Sequence, residues 1–106
     1  MEINTYIADL AALLGDIAAE SIISRKILKN DEVHATLFGF AAGQELTEHT
    51  ASRPAMLHFL SGRGTITLGA ESHPAGAGTF VYMPAHLPHS IIAETELQML
   101  LVLLLD

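Results

Sequence analysis

The segment GQELTEHTASRPAMLHFLSG, residues 43–62, is the first of two stretches that decide the fold. It opens on Gly43, places His49 after five intervening residues, and ends at Gly62. A glycine at each end indicates a tight turn before and after the segment, because glycine adopts backbone conformations that other residues avoid. Between the glycines, residues 46–51 could form a short strand that ends before Pro54, and residues 55–60 are an apolar run.

The segment GTFVYMPAHLPH, residues 78–89, is the second. It also opens on a glycine, Gly78, and five residues separate this glycine from Pro84. His89 closes the segment. In both segments a turn glycine leads into a short predicted strand, and a histidine follows further along the chain.

The chain around these segments has the composition of further strands, with turn residues between them. The predicted strands are residues 21–28, 32–40, 46–51, 55–60, 65–68, 79–83, 90–93 and 97–105. Residues 29–31, Lys-Asn-Asp, suit a hairpin turn, and residues 69–78, with glycines and a proline, are predicted to form a loop.

The N-terminal stretch has a different pattern, because its apolar residues recur at nearly helical spacing. It predicts a short helix or arm over residues 8–14, ended by Gly15. A chain of 106 residues fits one domain. We therefore expect a single all-β domain over residues 1–106, with an N-terminal helix or arm at 1–19 and a barrel at 20–106.

The paired segments resemble the two motifs of the cupin superfamily, in particular its small single-domain, RmlC-like members. The first motif begins with glycine, five residues and a His-x-His pair, followed by a glutamate and a glycine; Gly43, His49 and Gly62 match it. Gly78 and His89 match the second motif. The resemblance covers about residues 30–105 and implies a double-stranded β-helix, or jelly-roll barrel, with His49 and His89 facing each other inside.

The match to the metal-binding cupins is incomplete. In those proteins the two histidines and the glutamate of the first motif, with the histidine of the second, usually hold the ion. Here Ala51 stands at the second histidine position and Ala55 at the glutamate position. His49 and His89 alone are too few for a protein-built metal site, which needs about three or four ligands.

Two further residues are predicted to complete a site. Glu45 lies four residues before His49, so strand alternation puts both side chains on one face. His86 lies in the turn before His89 and could curl over the barrel mouth. The predicted metal set is thus His49, His89, Glu45 and His86, with Fe, Mn, Zn or Ni as the divalent ion.

The other histidines are expected to be structural. If Ala55 points inward, His58 points away from the cavity, although a bulge at Pro54 would reverse this. His34 and His73 suit ordinary hydrogen-bonding roles.

Three functions remain open at this point. The favoured one is a module that binds a small molecule, a divalent metal or both in the barrel without turnover. The alternative is a metal-dependent oxygenase or isomerase that uses His49, His89 and a third ligand, and no catalytic residue is assigned. The third is an interaction role as a homodimer, with the early strands and the apolar residues 99–105 as candidate cover for exposed sheet edges.

Composition excludes several partners. The formal net charge is −7 and no basic stripe is present, so we expect no nucleic-acid partner. Residues 99–105 are apolar but much shorter than the roughly 20 residues that span a bilayer, so we expect no membrane partner. The chain has no cysteine and its start lacks the pattern of a signal peptide, which together favour a cytoplasmic location.

Overall fold

The computed structural model describes residues 3–105, which form a short 3-10 helix followed by nine β-strands. The 3-10 helix spans Leu10–Ala12. The strands are β1 (Ile22–Lys29), β2 (Val33–Phe40), β3 (Glu45–His49), β4 (Ala55–Ser61), β5 (Arg63–Leu68), β6 (Glu71–Gly76), β7 (Phe80–Met83), β8 (His89–Ala93) and β9 (Leu97–Leu104).

The strands make two sheets, and each pair of neighbouring strands is antiparallel. The five-stranded sheet has the order β1-β2-β9-β4-β7, and the four-stranded sheet has the order β3-β8-β5-β6. This arrangement confirms the predicted all-β class. Residues 1, 2 and 106 of the predicted domain span lie outside the described residues.

The last strand lies in the middle of the five-stranded sheet, hydrogen-bonded to β2 on one side and to β4 on the other. The suggestion that residues 99–105 cover an exposed edge is therefore wrong. A run of consecutive apolar residues suits a strand with neighbours on both sides and side chains packed on both faces. β1 and β7 form the edges of this sheet.

The predicted loop at residues 69–78 also differs from the structure, because it contains β6. Gly69, with φ of 61°, makes the turn that folds β6 back against β5. Pro74 lies in β6, which is the edge of the four-stranded sheet, and edge strands are where sheets usually accommodate proline.

The helix or arm predicted at residues 8–14 is an arm with one 3-10 turn, and the other described residues before β1 form no regular helix or strand. Two apolar residues of the arm, Leu14 and Ile17, pack on the five-stranded sheet: Ile17 is buried, and a Cβ added to Gly39 would lie 2.7 Å from a side-chain carbon of each. A short isolated helix is marginal in water, so packing decides the conformation here. Within residues 3–105, no helix has the length and hydropathy needed to cross a membrane.

The hydrophobic core lies between the two sheets. Its largest fully buried side chains include Phe40, Phe59, Leu57, Ile66 and Leu97. The core members Ala55, Met83, Ile91 and Met99 also line a cavity in the barrel interior.

Candidate functional site

The cavity has a volume of about 230 Å³ and walls formed by both sheets and the turns that follow β3 and β7. Its lining residues are Phe38, Leu46, His49, Ala51, Arg53, Ala55, Met83, Pro84, Leu87, His89, Ile91, Met99, Leu101 and Leu103. Three of them carry polar side chains, His49, His89 and Arg53, and none of the described lining residues is acidic. The cavity is thus an apolar space with three polar groups, a common design of small-molecule sites.

His49 and His89 stand opposite each other because β3 pairs with β8 at this position. Their ring centroids are 4.1 Å apart and the ring planes are inclined by 58°. His89 is 5% exposed, whereas His49 is an exposed residue of a strand end. The pair therefore runs from the barrel interior towards solvent.

The two imidazoles make the same local hydrogen bond. Nδ1 of His49 lies 2.9 Å from the carbonyl oxygen of Thr47, and Nδ1 of His89 lies 2.9 Å from the carbonyl oxygen of Leu87. A carbonyl oxygen accepts but cannot donate, so Nδ1 carries the proton in both rings. In the neutral rings, each Nε2 is then left with a lone pair that can accept a hydrogen bond or bind a metal.

A bulge in β3 decides which of its residues reach the cavity. Leu46 is opposite Ile91 and His49 is opposite His89. The segment of β3 between these pairs is therefore one residue longer than the segment of β8 that faces it. The extra residue brings Leu46 and His49 to the same face although they are three apart, and both line the cavity. Glu45, opposite the exposed Ile92, is itself exposed and does not line the cavity. The expectation that alternation puts Glu45 beside His49 is therefore wrong.

His86 lies in the turn that connects β7 to β8. Its φ is 71°, its backbone N–H donates to the carbonyl oxygen of Ala51 at 2.7 Å, and the residue is exposed. It does not line the cavity. The backbone of His86 thus hydrogen-bonds this turn to the segment that contains Ala51.

The positions of the two alanines follow the family resemblance. Ala51 and Ala55 both line the cavity, so methyl groups lie where metal-binding cupins usually carry a histidine and a glutamate. His58 is exposed on the outward side of β4 opposite Phe80, which confirms its predicted orientation. His73 is exposed with Glu71 3.7 Å away, and His34 borders a surface depression.

These donors do not fit a metal centre built by the chain alone. In residues 3–105, no three His, Asp or Glu side chains come together in a way that could hold an ion. His49 and His89 supply two imidazoles, and about three or four protein ligands are usual. Glu45 and His86, the residues predicted to complete the set, are not on the cavity wall.

Arg53 is a lining residue that the sequence interpretation missed. A signal for it exists, because Ala51, Arg53 and Ala55 are separated by steps of two, the spacing that keeps side chains of an extended chain on one face. Met83 and Met99 were missed as well, although both lie on strands with alternating burial.

Comparison with known proteins shows the same architecture. A cupin superfamily protein from Desulfitobacterium hafniense superposes with a TM-score of 0.85 at 24% identity, over 98% of this chain and 97% of that one. A conserved protein of unknown function from Streptococcus pyogenes gives 0.81 at 30% identity, over 98% and 93%. Salicylate 1,2-dioxygenase from Pseudoaminobacter salicylatoxidans gives 0.75 at 15% identity, over 82% of this chain and 26% of that one, a likeness of fold alone.

No protein with a curated description matches the sequence. The family model described as the cupin domain matches residues 36–104, a range that contains both glycine-to-histidine segments and every strand from β3 to β9. The facing pair His49 and His89 lies inside this range, at the positions that the two motifs give it. The chain therefore belongs to the cupin family.

Proposed function

We propose that this chain binds a small, mainly apolar molecule in the barrel cavity and that the ligand donates hydrogen bonds to Nε2 of His49 and His89. The observation that carries the proposal is the lining itself, which is apolar except for these two imidazoles and Arg53. Burial of apolar surface supplies most of the affinity at such a site, and a few polar groups orient the ligand.

The size of the cavity limits the ligand. About 230 Å³ is below the range of roughly 300–1,000 Å³ that is usual for pockets holding drug-sized molecules. The ligand is therefore small, with an apolar body the size of a short aliphatic chain or a single ring. The direction of the imidazoles adds that its polar end bears a hydroxyl or N–H donor.

The alternative, a metal-dependent oxygenase or isomerase using His49, His89 and a third ligand, has less support. It requires a third donor for Fe, Mn, Zn or Ni, and the lining offers methyl groups at Ala51 and Ala55 instead. We therefore favour binding without a resident metal and without turnover. Metal analysis distinguishes the two functions, because the alternative requires about one ion per chain.

The methionine methyl groups provide a direct test of ligand position. Met83 and Met99 line the cavity, whereas Met56 belongs to the other face of β4 and does not. In protein with 13C-labelled methionine methyls, titration with 1-hexanol should shift the signals of Met83 and Met99 and leave Met56 unchanged. An Ala51→Leu variant, in which the larger side chain occupies the cavity, should lose this response. Unchanged Met83 and Met99 signals, or an equal shift at Met56, would contradict the proposal.

A homodimer and a cytoplasmic location stay predictions. The structure offers one surface that supports the dimer: Phe80 is 62% exposed and Tyr82 is 54% exposed, both on the edge strand β7. Large aromatic side chains on an open sheet edge are typical of surfaces that are covered in an assembly.

A further inference from the structure

We propose that the cavity ligand is a neutral vicinal diol, in which one hydroxyl group donates to Nε2 of His49 and the adjacent one to Nε2 of His89. The inference rests on the proposed binding function and deepens it by naming the chemical class of the ligand. It follows from three features of the site: two acceptors on neighbouring rings, the lack of a donor for either among the described residues, and a wall without acidic side chains.

The two imidazoles cannot satisfy each other. Their Nδ1 protons are donated to the carbonyl oxygens of Thr47 and Leu87, so in the neutral rings both Nε2 atoms are acceptors. The ring centroids are 4.1 Å apart, so two neighbouring rings each present an acceptor and neither presents an unused N–H. A ligand at this position must therefore bring its own donors, one for each ring.

Nε2 of His89 is open to solvent although the residue is only 5% exposed. No described residue donates to this atom, yet it does not count among the buried side-chain atoms that lack a partner; of the described residues, only Gln98 has such an atom, Oε1. Because His89 is a cavity-lining residue, the cavity is the space from which solvent reaches Nε2. A ligand that fills the cavity displaces this water and must replace its hydrogen bond.

The number of acceptors determines the number of donors. A single hydroxyl group has one O–H and pairs with one imidazole only. The other Nε2 then depends on water or stays unpaired, and an unpaired acceptor costs the free energy of its desolvation. Two hydroxyl groups on adjacent carbons can pair with both rings, because rings with centroids 4.1 Å apart are within reach of neighbouring donors.

The chemistry of the wall favours hydroxyl donors over nitrogen donors. An ammonium group has enough N–H donors for both rings, but none of the described lining residues is acidic, so its charge would be buried without a partner. A primary amide has two N–H donors, but its carbonyl oxygen also needs a donor. The imidazoles provide none, because both Nδ1 protons are bonded to the backbone. A vicinal diol on a short apolar body serves both acceptors without adding a charge or a carbonyl group.

The test compares 1,2-hexanediol with its isomer 1,6-hexanediol, with 1-hexanol and with hexanamide. The isomer has the same composition but separates the hydroxyl groups, and 1-hexanol lacks the second one. Dissociation constants are measured by following the methyl signals of Met83 and Met99 during titration of the wild-type chain and of His49→Leu and His89→Leu. His58→Leu is the matched control, because His58 is exposed on the outward side of β4.

We expect the wild-type chain and His58→Leu to bind 1,2-hexanediol about 2- to 10-fold more tightly than 1-hexanol, the gain from one further hydrogen bond. They should also bind 1,2-hexanediol more tightly than 1,6-hexanediol and hexanamide. His49→Leu and His89→Leu should each lose the preference for 1,2-hexanediol over 1-hexanol, because one acceptor remains in each variant.

Binding of 1,2-hexanediol by the wild-type chain that is no tighter than that of 1-hexanol would overturn the inference and leave the binding function standing. Equal binding of the two diols would overturn the adjacent placement of the donors, and tighter binding of hexanamide would overturn the choice of hydroxyl groups. A preference that survives in either histidine variant would overturn the pairing with that histidine. Binding of none of the four molecules, with no shift at Met83 or Met99, would overturn the inference together with the binding function.

Imidazole 15N spectra of the wild-type chain give a readout that needs no substitution. Saturation with 1,2-hexanediol should shift the Nε2 signals of both His49 and His89 and leave that of His58 unchanged, since a hydrogen bond to the lone pair changes the shielding of the nitrogen. Circular dichroism checks that the variants are folded. If a leucine variant does not fold, the 15N spectra decide, because a shift at only one of the two cavity histidines contradicts the proposal.

Discussion

His49 and His89 face each other across the β3–β8 pair with ring centroids 4.1 Å apart, and each donates its Nδ1 proton to the carbonyl oxygen two residues earlier. The backbone just before each histidine therefore fixes the tautomer of that histidine. Both Nε2 atoms are left as acceptors in a cavity whose other walls are apolar apart from Arg53. This relationship gives the cavity its hydrogen-bonding character and leads to the first prediction.

1-Hexanol has a single O–H donor and so hydrogen-bonds to one of the two Nε2 atoms at a time; replacing the histidine that accepts this bond by leucine should weaken binding while keeping the cavity apolar. Loss of one hydrogen bond of about 0.5–1.5 kcal/mol predicts a rise in the dissociation constant of about 2- to 10-fold for His49→Leu or His89→Leu. His58→Leu is the matched control, because this histidine is exposed on the outward side of β4. The dissociation constants of all three variants are measured by following the methionine methyl signals during titration. Unchanged affinity in both cavity variants would argue against hydrogen bonding to the histidines.

We attribute the incomplete set of metal ligands to the alanines at positions 51 and 55, so restoring ligand side chains at these two positions should create a metal site. Both line the cavity with His49 and His89, so the double substitution Ala51→His and Ala55→Glu adds an imidazole and a carboxylate to the same space. We expect the double variant to bind about one divalent ion per chain, since four such donors satisfy the usual coordination of a protein metal site.

Calorimetric titration with Ni²⁺ measures this gain, and the single variants serve as controls with weaker binding. A folded double variant that binds no ion would show that the two alanines do not occupy ligand positions.

Gly62 and Gly78 differ in what an added side chain would meet, and a stability measurement can distinguish the cost of backbone strain from the cost of a steric clash. Gly62 and Gly78 have φ of 88° and 91°, so alanine is strained at either position. A Cβ at Gly62 would also overlap the backbone oxygen of Glu96, whereas a Cβ at Gly78 meets no atom within 4 Å.

Gly78→Ala should therefore lower the free energy of unfolding by about 1–2 kcal/mol, the cost of the left-handed conformation alone. Gly62→Ala should lower it by more than about 3 kcal/mol, because the backbone must also shift. Urea denaturation measures both, and equal losses would mean that the contact with Glu96 is relieved without cost.

The dimer prediction is tested at the edge strand β7. Phe80→Ser with Tyr82→Ser should shift the chain towards the monomer, because the substitution removes the two exposed aromatic side chains of that edge. Ile92→Ser is the control, since Ile92 is 44% exposed on the outward side of the other sheet. Sedimentation equilibrium measures the association, and a wild-type chain that is monomeric at high concentration would contradict the prediction.

The sequence predicts the barrel well because the fold depends on local patterns. Runs of apolar, β-branched and aromatic residues bounded by turn residues identify most strands. The glycines at 43, 62 and 78 all adopt positive φ, which explains why glycine occupies these positions. The resemblance to the cupin motifs also implies that His49 and His89 face each other, and the pairing of β3 with β8 places them opposite each other.

The rest of the site could not be predicted because it depends on strand pairing. One extra residue in β3 turns Glu45 outward, and alternation along a single sequence cannot show where a bulge falls. The strand β6 was missed for a related reason: its residues have weak strand propensity and are held by pairing with β5. The conformation of the turn at His86 likewise depends on its hydrogen bond to Ala51.

Elemental analysis of the chain purified without chelator tests the central claim, that His49 and His89 mark a binding cavity without a resident metal. The double variant with Ala51→His and Ala55→Glu provides the positive control. The account predicts far less than about one transition-metal ion per wild-type chain. About one ion per wild-type chain, lost on His49→Ala or His89→Ala, would contradict it.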